Sequence, residues 1–234
     1  MANAILMASG MGTRMRPLTD NTPKPLIKVG EVPMIETIIS GLQKCGIRKI
    51  YIVVGYLGDQ FLYLEKKYNN ITILKNKVYE TINNISSVYV ARDVLREDDC
   101  YICEADLYIS DASIFKSSFD QSCYFGKMIK GYSSDWVFEL DESDLICRVG
   151  KGGTDCYNMV GLSYFKRADA NVLADAIENT YGTDGYETLF WDDVVDMNLD
   201  KLRLVINPVM EEQITEIDTI DELKCVNEKI KSDR

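Results

Sequence analysis

The chain has 234 residues, 46% of them apolar and 27% charged, which fits one large α/β domain or two small ones with a sizeable core. Its formal charge of −11 argues against long-range attraction to nucleic acid or to an anionic membrane. It has no histidine, so Ser-His-Asp and Cys-His mechanisms and His-ligated metals are excluded. Any metal must rest on carboxylates, the donor set of a hard ion such as Mg²⁺.

In chain order, "NAILMA" from Asn3 predicts a short buried strand that runs into a glycine-bearing loop. Helical spacing follows over residues 34–45, a strand over 49–55, a helix over 58–68 and a strand over 71–76. Residues 83–95 predict a helix with an Asn/Ser-rich start, and 99–106 a strand ending in acids. This βαβαβαβ alternation predicts a parallel, doubly wound sheet. The second half is less regular: strands over 121–130, 136–140, 158–165 and 201–208, and helices over 168–181, 186–197 and 219–231, the last capped by Thr219. With no linker or repeat, residues 1–234 read as one domain, the second half forming a lobe on the first.

Seven cysteines, odd in number and scattered, with no signal peptide ahead of them, read as reduced thiols of a cytoplasmic protein. Cys100 and Cys103 are spaced like a redox or zinc pair, but they lie in an apolar strand and read as core. No apolar stretch reaches spanning length, so membrane insertion is not expected.

The loop after the first strand, "ASGMGTRMRPLTDNTPKPL" from Ala8, is polar and heavily punctuated, with almost nothing suited to a core. Ligands of open α/β sheets bind beyond the carboxyl ends of the strands, where this loop lies. Gly10 and Gly12 let the backbone approach a ligand and offer its N–H groups to an anion. Arg14 and Arg16 suit phosphate oxygens, and Lys24 supplies a point charge on a backbone stiffened by Pro23 and Pro25. The pattern is neither a dinucleotide fingerprint nor a P-loop.

The whole string resembles the signature of the nucleotidyltransferases that join a nucleoside triphosphate to a phosphorylated small molecule, with Ser9 where alanine is usual. The resemblance continues through "VVGYLGDQF", "NNISSVYVARD", "EAD" at Glu104–Asp106, "WDD" from Trp191 and "EIDTIDEL" from Glu216. Within the family the chain is similar to the bacterial CTP:phosphocholine cytidylyltransferases. The implied fold is α/β, a Rossmann-like nucleotidyltransferase fold with a mixed, mostly parallel central sheet flanked by helices.

The implied reaction is attack by a phosphate oxygen of the acceptor on the α-phosphorus of CTP, expelling pyrophosphate, with phosphocholine as acceptor and CDP-choline as product. Both reactants are anions, so positioning and charge neutralisation carry the catalysis, and an already ionised phosphate needs no histidine base. The resemblance implies that Asp106 and Asp192 hold Mg²⁺, Arg14 holds the β- and γ-phosphates, and Lys24 the α-phosphate or the incoming phosphate. It places Ala8, Ser9, Gly10, Gly12, Asn84 and Ser87 around the nucleotide. It places Trp136, Phe190 and Glu216 around the choline headgroup, a cation without N–H donors that aromatic faces and carboxylates can hold. Phe190 stands where relatives often carry tyrosine. Asp193 reads as a cap or a solvated charge. The alternatives are another acceptor (a sugar 1-phosphate or 2-aminoethylphosphonate) and a non-catalytic regulatory protein of the same fold. A monomer or a homodimer is expected.

Overall fold

A computed structural model describes residues 2–232. The chain runs β1 (Asn3–Ala8), a short hairpin of β2 (Lys28–Val29) and β3 (Val32–Pro33), α1 (Met34–Lys44), β4 (Lys49–Val54), α2 (Leu62–Lys67) and β5 (Ile71–Lys75). Then come α3 (Ile85–Val90), α4 (Arg92–Leu95), β6 (Cys100–Glu104), β7 (Leu107–Ile109), β8 (Ser122–Leu140) and β9 (Ile146–Phe165). The chain closes with α5 (Arg167–Thr180), α6 (Trp191–Asp196), β10 (Leu204–Pro208), β11 (Ile214–Glu216) and α7 (Ile220–Ser232).

The main sheet has the order β10-β8-β9-β6-β1-β4-β5. β6, β1, β4 and β5 are parallel, and β9 alone runs against its neighbours β6 and β8. This is the mixed, mostly parallel sheet expected from the sequence. β1 is apolar throughout because both of its faces are covered. Ala4, Leu6 and Ala8 pack with Ile35, Ile38, Ile39 and Leu42 of α1, while Ile5 faces Val88, Leu95, Leu173, Ile177 and Val194 on the other side. The i, i+3, i+4, i+7 stripe of α1 is fully buried, and each such side chain contributes about 2 kcal/mol of transfer free energy. Cys100 and Cys103 are buried and unpaired, as core residues.

Several boundaries differ from the sequence reading. The helix expected over 83–95 breaks at Ala91 into α3 and α4. The helix expected from residue 186 starts only at Trp191, because Phe190 is extended and its N–H donates to the Asp193 carboxylate at 2.8 Å. Asp193 is therefore a cap. The two strands expected at 121–130 and 136–140 are one strand, and its partner β9 begins twelve residues before residue 158. β8 and β9 form a long hairpin whose register shifts between Ile129 and Tyr132 and again between Ser133 and Trp136. Its distal arm bends back, so that Val137 faces both Gly150 and Asn158.

A small sheet of β7 and β11, Glu216 opposite Leu107, carries the late acidic segment to the end of β6. A third apolar cluster ties this segment to the first loop: Met15, Ile27, Val29 and Met34 meet Ile217 and Leu223. The loop thus does contribute to a core, since Met15 is fully buried. Thr219 caps α7, as expected, in a reciprocal box: the Glu222 N–H donates to Thr219 Oγ1, and Glu222 Oε2 accepts from the Thr219 N–H. Among the described residues no helix is long and apolar enough to cross a membrane.

Candidate functional site

Above the carboxyl ends of β1 and β6 lies a cavity of about 960 Å³. Ala8, Ser9, Gly10, Gly12, Arg14, Lys24, Asn84, Ser87, Asp106, Trp136, Phe190, Asp192 and Glu216 all line it, whereas Arg16, also suited to phosphate by its chemistry, lies outside and pairs with Asp20 at 3.3 Å.

The first loop is built from short 3-10 turns at Thr13–Met15, Leu18–Asp20 and Lys24–Leu26. Gly12 is left-handed, with φ 60° and ψ 38°. A Cβ there would stand 2.8 Å from Lys24 Cβ and 3.1 Å from Thr19 Cγ2, so glycine is needed both for the turn and for the close passage of Lys24. Gly10 has open space beside it, facing the cavity. Lys24 is buried, and its ammonium donates to Asp106 Oδ2 at 2.6 Å and to Asp218 Oδ1 at 2.5 Å. Arg14 donates to the same Asp218 oxygen at 2.7 Å. Burial works against the Lys24 ammonium, but Asp106 and Asp218 hold its pKa above the usual lysine value. Against the desolvation of its own carboxylate, Asp218 is held below the usual range by Lys24 and Arg14.

One ligand atom each from Glu104, Asp106 and Glu216 lies within 4.8 Å of the other two, close enough to share a cation. Asp192 lines the same cavity but is in no such three-member group. It is buried, and its carboxylate accepts from the Tyr124 hydroxyl at 3.0 Å. Asp106 Oδ1 is buried without a hydrogen-bond partner. A buried, unpartnered carboxylate oxygen among oxygen donors suits a hard divalent cation, so these residues fit Mg²⁺. Gly161, at φ 69°, makes room for Glu104: a Cβ there would stand 2.9 Å from Glu104 Oε2.

Burial, then the charges of Asp106, Glu216 and Asp192, push Glu104 well above the usual carboxylate range. Glu216 rises through desolvation on its inner side and the charges of Asp106 and Asp218. Burial pushes Asp192 up to about 7. These groups favour their neutral forms when folded, while in the unfolded chain they titrate near 4. Their stabilisation is therefore present at low pH and is lost as pH rises toward 7 and beyond. The free protein is expected to melt about 5 °C lower at pH 8 than at pH 5, with Asp192→Asn flattening the dependence in thermal unfolding.

At the end of β1, Ser9 Oγ donates to the Val53 carbonyl at 3.1 Å and Ser87 Oγ donates to Ser9 Oγ at 3.2 Å. The serine that departs from the usual alanine thus joins the loop to α3. Asn84 Oδ1 accepts from the Trp191 N–H at 2.9 Å, and Asn83 binds the Glu187 and Thr188 carbonyls. The Asn-Asn pair therefore orients the segment that delivers Phe190 and Asp192.

Opposite, the Trp136 and Phe190 rings meet edge to face, with centroids 5.3 Å apart. Lys151 Nζ stands 5.8 Å from the Trp136 centroid and 5.7 Å from that of Phe190, so the pair already faces a cation. Asp135 also lines this wall.

Sequence reasoning missed Lys151 and Asp135 and assigned no role to Glu104 or Asp218. Lys151 lies among Gly150, Gly152 and Gly153, a cluster that signals the hairpin bend. Asp218 directly precedes the Thr-x-x-Glu box, a sign that it sits at a helix entrance.

A family model described as Nucleotidyl transferase matches residues 3–125. A 2-aminoethylphosphonate cytidylyltransferase of Lancefieldella rimae is 52% identical over 94% of this chain and 90% of its own length. A choline-phosphate cytidylyltransferase of Streptococcus pneumoniae is 30% identical over 98% of this chain and 99% of its own. The solved structure of the CTP:phosphocholine cytidylyltransferase from Streptococcus pneumoniae superposes with a TM-score of 0.90 at 30% identity, covering 98% of this chain and 99% of that one.

Proposed function

The chain belongs to the nucleotidyl transferase family, and from that premise we propose that it transfers a cytidylyl group from CTP to 2-aminoethylphosphonate, releasing pyrophosphate. The observation that carries the cytidylyl reading is the 52% identity over nearly the whole chain with a cytidylyltransferase for that acceptor. The cavity supports it. A primary ammonium has three N–H donors that need acceptors, and Asp135 and Glu216 offer carboxyl oxygens on the cavity wall.

In this reading the Gly10–Gly12 backbone and Arg14 hold the terminal phosphates. Lys24 neutralises charge at the α-phosphate, where an oxygen of the acceptor attacks in line and pyrophosphate departs. Asp106, with its free Oδ1, and Asp192 would hold Mg²⁺. That ion, when bound, polarises the α-phosphate and screens the two anions from each other. The attacking oxygen is already ionised, so no side chain has to take its proton. Ser9, Asn84 and Ser87 face the nucleoside. The Trp136–Phe190 pair and Glu216 face the cationic end of the acceptor.

Phosphocholine, the acceptor expected from the sequence, is the second reading. It is favoured by the aromatic pair that already faces the Lys151 ammonium.

Pyrophosphate release with Mg²⁺, crossing four nucleoside triphosphates with 2-aminoethylphosphonate, phosphocholine and glucose 1-phosphate, tests both. The fastest release is expected from CTP with 2-aminoethylphosphonate. Preference for phosphocholine selects the second reading, preference for another nucleotide discards cytosine, and no release with any pair points to the non-catalytic alternative. Trp136→Ala is expected to raise the KM of the acceptor about tenfold and leave that of CTP nearly unchanged.

A further inference from the structure

We propose that Asp218 is a positioning residue that acts as a resident counter-anion: it holds Arg14 and Lys24 ready in the free enzyme and gives them up to phosphate oxygens when the triphosphate arrives. The proposal rests on the reading of these two cations as phosphate ligands. Its basis is that a single oxygen, Asp218 Oδ1, takes both of them, at 2.7 Å from Arg14 and 2.5 Å from Lys24. A phosphate oxygen bridging the same two groups would compete for the same donors.

The three partners differ in freedom. Asp218 is clamped at the entrance of α7: its N–H donates to Glu222 Oε2 at 2.7 Å, and that oxygen also takes the Thr219 N–H at 2.8 Å. The preceding Ile217 is fully buried, and its N–H donates to the Asp106 carbonyl at 3.3 Å. Lys24 is buried and keeps Asp106 as a second partner. The Arg14 side chain is 68% exposed and has Asp218 as its one ion-pair partner among the described residues. Arg14 is thus the part that swings, and Asp218 is the fixed post to which it returns.

Two like charges gathered in an empty cradle repel each other, and a long exposed arginine left alone samples many rotamers. A built-in carboxylate suppresses both costs before nucleotide binds. It also competes with the nucleotide, so removing its charge should strengthen anion binding, the opposite of what damage to the site would do.

Titration calorimetry with inorganic tripolyphosphate in Mg²⁺ buffer isolates this subsite from the base and the acceptor. Asp218→Asn is expected to bind tripolyphosphate about tenfold more tightly than wild type, and Arg14→Ala about tenfold more weakly. Asp218→Ala removes the same charge without offering Arg14 an amide and should shift in the same direction. Thermal unfolding without ligand confirms that each variant is folded. In steady state the Asp218→Asn enzyme should show a lower KM for CTP, which a merely structural role would not produce. Weaker or unchanged tripolyphosphate binding in the Asp218 variants, with Arg14→Ala still weakened, overturns the proposal alone. Failure of wild type to bind, or equal binding by wild type and Arg14→Ala, overturns the phosphate reading of the cradle and the proposal with it.

Discussion

Lys24→Ala is expected to lower kcat/KM about a thousandfold, the scale on which a preorganised charge acts inside a water-poor site. Lys24 is only 6% exposed and is fixed from three sides: Gly12 passes against its Cβ, and two carboxylates hold its ammonium. Once Asp218 has yielded it to phosphate, the buried stem and Asp106 still hold it in place while charge develops at phosphorus. The variant also leaves Asp106 and Asp218 without their shared cation, so it should melt at a lower temperature than wild type at neutral pH. The sign with pH follows from Asp218, whose pKa is lowered in the folded protein. Its stabilisation is present above the unfolded value near 4 and is lost as pH falls through the folded one. The stability gap between wild type and Lys24→Ala should therefore narrow as pH drops below about 4. Near-wild-type turnover in a folded Lys24→Ala protein would remove Lys24 from the chemistry.

Asp106→Asn should be equally damaging to turnover, about a thousandfold, for a different reason. The amide keeps the shape and can still accept from Lys24, so the fold should survive. It lacks the charge that makes the unpartnered Oδ1 a cation ligand. Two measurements separate this from a packing defect. The Mg²⁺ concentration for half-maximal pyrophosphate release should rise steeply, and the pKa values of Glu104 and Glu216 should fall, since Asp106 is one of the charges that raises both. A variant with wild-type metal response would exclude Asp106 as a ligand.

The parts of the site visible in the sequence are those in which one short segment carries both the signal and the function. The polar, glycine- and proline-marked loop after β1 is such a segment, and so are the acids closing β6. What stayed hidden depends on pairing across long separations. β11 is three residues long and acquires its place only by lying against β7, more than a hundred residues earlier, so the Thr-x-x-Glu box marks Asp218 as a helix entrance but not its meeting with Lys24 and Arg14. The bend of the β8–β9 hairpin is a matter of register, and an alternation pattern cannot report where register slips, so Lys151 and Asp135 went unnoticed. The late start of α6 has the same character. Residues 186–197 have helical spacing, but the Asp193 carboxylate captures the Phe190 N–H and sets the boundary at Trp191. Met15, in a loop that looked coreless, is buried because α7 and Ile217 close over it.

The doubled-back hairpin separates two evolutionary problems. Its base, from Cys123 to Phe125 and from Leu162 to Phe165, is buried in the common sheet, and so are Val137 and Phe138 beyond the bend. Between them, the turn-back itself presents Ser134, Asp135, Trp136 and Lys151 to the cavity that the loop after β1 also lines. On the proposed function, a lineage can rewrite those few positions, with Phe190 and Glu216 beside them, and meet a new acceptor without disturbing the scaffold or the loop after β1. Acceptor choice should therefore drift faster than nucleotide handling among proteins built this way, and grafting this bend between relatives is the shortest route to exchanging their substrates.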